Sequence, residues 1–252
     1  MSGHISIERI LERLDSHLHK NDYSSAERHL LYWLEESQRD MDHRAELLIR
    51  NELMGLYRKL GREREAFECV EAAIQKIEEL GIGHQVGAAT TFLNCATVCK
   101  AFGEPQRSLT LFERARRVYE CELDASDERL GGLYNNMALT LVDLRRFDEA
   151  NAMYENAITI MKETDTGALE VAITYLNMAS AAEAELGSVN ADEKIQEYMD
   201  SAQELIENYG RRDGYYAFVC EKCASVFGYY GRFLYENELK ERAGRIYRGE
   251  GN

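Results

Sequence analysis

Apolar residues recur along the chain every three or four positions, in segments broken by short polar or glycine-bearing stretches. Tyr134, Met137, Ala138 and Leu141 share one face of a helix. Ala150, Tyr154 and Ala157 share a face of the next, at spacings of four and three. Between such pairs stand Leu60-Gly61, Phe102-Gly103 and Leu186-Gly187, where glycine can take the left-handed conformation that ends a helix. Alanine at the facing positions lets two helices approach closely, and the aromatic between them fills the neighbouring groove. The pattern predicts an all-α chain of helix, short turn, helix units.

These units repeat with a period of about 42 residues, longer than the ~34 of the commonest helix-pair repeat. Asn94-Cys-Ala, Asn136-Met-Ala and Asn177-Met-Ala are its clearest echoes. The string Tyr134-x2-Met137-Ala138-x2-Leu141, followed by Ala150-x3-Tyr154 and Ala157, resembles the tetratricopeptide repeat. The added length is about one helical turn on each helix. With Tyr134-Asn-Asn-Met-Ala138 and Arg145-Arg-Phe-Asp-Glu-Ala150, this longer form resembles the kinesin light chain type, and bacterial repeat proteins that bind signalling peptides have similar units. The resemblance covers roughly residues 45–230. It implies a right-handed superhelical solenoid of about six helix-turn-helix units, a single domain over 1–252 whose first helices line a concave groove.

The ends depart from the regular pattern. Residues 5–40 carry Ile7, Ile10, Leu11, Leu14 and Leu18, then Tyr23, Ala26, Leu30 and Trp33, a helix pair with tryptophan where later units have alanine. Regular repeats occupy 45–210. After Gly187 the turn reads about three residues longer, ending at Asn190-Ala-Asp192, a good helix start. Over 215–248 a sixth first helix (Cys220–Tyr230) precedes a last helix with Glu236 and Lys240 at the usual apolar sites. Such a polar helix suits the cap that an open stack needs.

Composition narrows the function. One proline, Pro105, stands where average usage gives about twelve, which suits long uninterrupted helices. The formal charge of −15 argues against nucleic acid, which needs a basic face, and against anionic membranes. No apolar run approaches the ~18 residues of a membrane span, and Met1-Ser-Gly-His-Ile-Ser-Ile does not read as a signal peptide. Six scattered cysteines do not resemble a disulfide framework, so reduced thiols and a cytoplasmic location are expected.

By the resemblance, the residue one place before the large apolar position of each first helix points into the groove. Asn94, Asn136 and Asn177 hold that place, and Lys222 holds it in the last unit. In the second unit Glu52 takes it and Asn51 comes one earlier. Thr97, Asn135 and Thr174 fall near the same surface. An asparagine amide offers donors and an acceptor together, so a column of them can satisfy an extended backbone without demanding a sequence. The other reading is that these amides cap turns, meet water or reflect duplication alone. Lysines at Lys59, Lys100 and Lys222 would favour an acidic peptide or a chain-terminal carboxylate, although Lys59 and Lys100 also sit where the helix dipole attracts any cation.

Nothing in the chain invites catalysis, metal or cofactor. Cys220-Glu-Lys-Cys223 lacks the second pair of a zinc site, and Cys95, Cys99 and Cys223 occupy apolar repeat positions. His17 and His19 point apart on a helix, and Glu78-Glu79 and Asp148-Glu149 suit solvated faces. No phosphate loop or nucleophile elbow is present. The expected function is a non-catalytic scaffold for a protein or extended peptide. The alternatives are a self-assembly module using exposed Tyr215, Tyr216, Tyr229 and Tyr230 to form a homo-oligomer, or a peptide-sensing regulator without its own DNA-binding domain.

Overall fold

The computed structural model describes residues 6–164 and 167–250; among them are twelve α-helices and no strand. The chain divides into two compact units, Met1–Leu123 and Asp124–Asn252. The first holds α1 (Ile7–Leu18), α2 (Tyr23–Arg39), α3 (His43–Lys59), α4 (Glu63–Leu80), α5 (Val86–Ala101) and α6 (Pro105–Glu122). The second holds α7 (Glu128–Asp143), α8 (Phe147–Met161), α9 (Gly167–Leu186), α10 (Ser188–Asn208), α11 (Gly214–Tyr229) and α12 (Phe233–Tyr247). No helix among the described residues is long and apolar enough to cross a membrane.

The turns carry the period in their backbone. Gly61, Gly103, Arg145 and Gly187 all have positive φ, at 67°, 80°, 57° and 79°, and each follows the last by 42 positions. At three of these turns the amide of the next residue reaches back over the helix end: Arg62 to the Tyr57 carbonyl at 2.9 Å, Glu104 to Cys99 at 2.8 Å and Arg146 to Leu141 at 2.9 Å. This bond satisfies a carbonyl that the helix leaves open. The fourth turn corrects the expectation of a longer loop, because α10 starts at Ser188 directly after Gly187. Ser188-Val-Asn-Ala is compatible with a first helical turn, and Asn190 donates its amide to the Leu186 carbonyl at 3.0 Å. The extra residues therefore lengthen the helix instead of the turn.

Within the first unit α3 packs on α4 and α5, and α5 on α6; within the second, α7 packs on α8 and α9, α9 on α10 and α11, and α11 on α12. Ala138, Ala150, Tyr154, Ala157, Ala179 and Ala202 are fully buried, as the repeat spacing requires. Cys95 and Met54 meet sulfur to sulfur at 3.7 Å in the first core, and Phe227 meets Tyr235 edge-on at 4.7 Å in the second. Each large side chain so buried contributes about 1.5–3 kcal/mol.

Ion pairs between residues 32 to 36 positions apart join the second helices of neighbouring repeats. Arg62 reaches Glu27 at 2.8 Å, Arg107 pairs with Glu71, and Arg114 reaches Glu78 at 3.2 Å. In the second unit Arg232 meets Asp200 at 2.6 Å, and Arg242 grips both Glu207 oxygens at 2.7 and 3.0 Å. Pairs with exposed partners add little individually, about 0–1 kcal/mol; their value is register.

Two expectations about the last repeat are corrected. Tyr216 is fully buried, stacked on Tyr209 at 6.2 Å, while Tyr215 and Tyr230 are half-buried and Tyr229 alone of the four is exposed. The buried stripe of α12 is Tyr235, Leu239 and Ala243, one place earlier than the Glu236 and Lys240 expected there. Glu236 and Lys240 pair with each other at 2.6 Å instead. Phe233 and Leu234 are left at 64% and 88% exposure, so the last helix is less polar outside than its sequence suggested.

Candidate protein-binding face

The first helices α3 and α5 of one unit, and α7, α9 and α11 of the other, lie beside one another within their units. On each, the residue before the buried repeat position is half-buried or exposed. Leu53, Cys95, Met137, Met178 and Cys223 are buried, while Glu52, Asn94, Asn136 and Asn177 are half-buried and Lys222 is exposed. Helical geometry explains this: a one-residue step turns about 100°, from the helix contact toward its rim.

In the first unit, Asn94 stands on α5 with Thr97, whose hydroxyl donates to the Asn94 carbonyl at 2.8 Å. Asn51 does not stand free. Its amide donates to the Thr91 hydroxyl at 3.1 Å, bridging α3 to α5, while its Oδ1 is buried without a partner. Glu52 faces Asp15 of α1, and burial together with that neighbouring carboxylate raises its pKa.

In the second unit the asparagines divide by role. Asn136 donates to the Gly132 carbonyl of its own helix at 2.8 Å, so one amide proton is used locally. Asn177 donates to Asn135 Oδ1 at 3.1 Å, joining α9 to α7. Thr174 is 2% exposed and donates to the Glu170 carbonyl at 2.9 Å; it lies inside the packing and is not offered to a ligand. Lys222 projects from α11 with its Nζ 6.0 Å from the Phe218 ring.

A cluster that sequence reasoning passed over adjoins these residues. Tyr215 of α11 donates its hydroxyl to Glu170 of α9, and a cavity of about 420 Å³ opens between Glu128, Gly132, Met161, Glu170 and Tyr215. Burial raises the Glu170 pKa, against the pull of nearby Lys222 and with a push from Glu128. Glu170 and Tyr215 are 45 positions apart, one repeat, but only a three-dimensional register brings them together. No group of three His, Cys, Asp or Glu able to hold a metal occurs among the described residues. The paired cysteines are free and buried: burial lifts the Cys223 thiol to about 12 and Cys99 to about 11, and Cys95 and Cys220 rise for the same reason.

Comparison with known proteins agrees with this architecture. Residues 46–120 and 131–164 each match a family model described as tetratricopeptide repeat. No curated protein sequence matches the chain. Among solved structures it is similar to BtubC (BKLC) from P. vanneervenii, at 22% identity and a TM-score of 0.69, over 81% of this chain and 82% of that one. It is also similar to the kinesin light chain nearly identical TPR-like repeats of Podosopora anserina, at 16% identity and a TM-score of 0.55, over 79% and 94% of the two chains. A singly substituted form of the latter gives 16% and 0.57, over 81% and 95%. At these identities the structures speak for the fold, and the two matched segments for the family. The chain carries tetratricopeptide repeats over residues 46–120 and 131–164, on a fold similar to that of the kinesin light chain-like repeats.

Proposed function

We propose that the chain is a non-catalytic scaffold that binds a protein segment on its first-helix faces. The contacts would come from Asn94 and Thr97 in one unit, and from Asn135, Asn136, Asn177 and Lys222 in the other. Tetratricopeptide repeats generally mediate protein–protein binding, which supports the class of function. The observation that carries the residue assignment is the half-buried amide before the buried position on α5, α7 and α9. Asparagine is a middling helix former, so its repetition there needs a reason other than propensity. The Asn136 and Asn177 amides keep hydrogen-bonding capacity beyond the one internal bond that each donates, enough to meet an extended backbone.

The test is affinity capture from native extract with wild type and the Asn94→Ala, Asn136→Ala, Asn177→Ala triple variant. A partner held by wild type and lost by the folded variant supports the assignment. Equal recovery moves the binding surface elsewhere. A second reading, self-assembly, is favoured by the exposed Tyr229, Phe233 and Leu234 at the last helix pair. Sedimentation velocity of wild type and Leu234→Glu separates it: a dimer abolished by the glutamate supports it, and a monomer in both removes it.

A further inference from the structure

The first unit contains a groove of about 520 Å³ where the start of α3, the end of α4 and the start of α5 meet. Leu47, Leu48, Leu80, Ile82 and Ala88 give it an apolar lining. No carboxylate lines it, although the chain has a net charge of −15. Its charge is one-sided. Arg44 lines the groove, is exposed, and makes no hydrogen bond or ion pair among the described residues. The α5 N-terminus opens on the same groove with neither a side-chain cap nor an acidic residue in its first turn. Its backbone amides and dipole are therefore left uncompensated. Gly87, in that first turn, has open space where a Cβ would stand, so the backbone can be approached closely. His43 at the same groove has no hydrogen bond to its Nδ1, which faces the Glu46 carboxylate behind the lining at 3.9 Å.

The groove is also bounded. The Asn51–Thr91 hydrogen bond spans α3 and α5 at 3.1 Å, and both residues line the groove, whereas Asn94 and Thr97 do not. An occupant that fills it is a small body. Its volume and mostly apolar lining with a few convergent polar groups are those of a small-molecule site, roughly 300–1,000 Å³.

We propose that this groove binds a small amphipathic carboxylic acid, its acyl or aryl body on the leucines and its carboxylate held by Arg44 and the open amides at the start of α5. This site is independent of the scaffold reading. Charge-assisted bonds to a carboxylate are the strong class of hydrogen bond, and a helix start supplies them without a side chain.

The test is calorimetric titration of the full chain with octanoate, with octylammonium as the probe of equal length and opposite charge. One saturable octanoate site is expected, with no matching octylammonium site. Arg44→Gln should weaken octanoate by about tenfold, the loss of one charged hydrogen bond. Gly87→Leu should abolish it while leaving the helical circular dichroism unchanged. Leu48→Asp, which places a carboxylate in the groove, should abolish it too and serves if the glycine variant does not fold. Octylammonium binding as tightly as octanoate would overturn the proposal. So would retention of octanoate by the groove variants, or the absence of any octanoate site. Binding of acetyl-Gly-Gly-Leu with a free C-terminus but not of octanoate would also overturn it, assigning the groove to a chain end.

Discussion

Alanine at a helix contact and a carboxylate beneath the surface are the two residue choices that most constrain this molecule. Ala138 and Ala157 are fully buried on facing helices. Replacing either by leucine should overpack the α7–α8 contact and cost about 1–3 kcal/mol, read as a lower urea midpoint at unchanged slope. An unchanged midpoint would place both residues elsewhere. Glu46 is 2% exposed and is met by Arg50 at 2.8 Å, Gln38 at 3.2 Å and Lys76 at 3.5 Å, joining α2, α3 and α4. Burial pushes its pKa up, but bonds from Arg50 and Gln38 and the charges of Arg50 and Lys76 outweigh that, and the net shift is downward. A carboxylate whose pKa is depressed on folding stabilises fully above its unfolded value, and that stability is lost as pH falls through the folded value. Wild type should therefore lose stability below about pH 4.5, the ordinary glutamate value. Glu46→Gln should flatten that part of the profile. Glu46→Ala, which strands Arg50 and leaves Lys76 only its pair with Glu79 at 3.7 Å, should cost about 3–5 kcal/mol at neutral pH; a loss within error of zero would refute the network's role.

At the scale of helices, the period is held both by apolar packing and by polar pairs between neighbouring repeats. Asn177 and Asn135 join α9 to α7 at 3.1 Å. A double-mutant cycle with alanine at both sites should give a coupling of about 0.5–1.5 kcal/mol, while Asn136→Ala, whose amide bonds only within α7, should leave that coupling unchanged. Additive single variants would mean that the two amides do not meet in solution. The last repeat illustrates how an element can shift under its sequence pattern. Tyr235 packs on Phe227 and hydrogen-bonds Glu207 at 2.6 Å, and this holds the α12 stripe one place from where the repeat alignment puts it. Burying a large aromatic outweighs the repeat's nominal alanine position, and Glu236 is free to pair with Lys240.

For the whole molecule, burial sets which groups meet solvent. Five of the six cysteines are buried and Cys121 is exposed. Ellman's reagent should therefore titrate one thiol rapidly in the native chain and six after denaturation, with the fast reaction absent from Cys121→Ser. Two or more fast thiols would indicate that part of the buried core opens readily. Burial raises the pKa of the protected thiols, to about 11 at Cys69, so they also lack thiolate for the reaction.

The helical class, the period near 42 residues and the buried alanine and aromatic positions are all legible in the chain before it is folded. These follow from local chemistry: helical spacing of apolar residues, left-handed turns, and small residues where helices cross. Met137, Ala138 and Leu141 are legible because three residues within about one turn of each other carry the signal. Whatever depends on register between helices came only with the folded arrangement. Folding buried Tyr216 and Thr174, both expected at a surface, because the rim of one helix can be the core of the next. It paired Asn51 with Thr91 and Asn177 with Asn135, and brought Tyr215 to Glu170. Those partners stand 40 to 45 positions apart. A shift of one residue in packing turns a side chain by about 100°, from exposed to paired, and no local pattern fixes that angle.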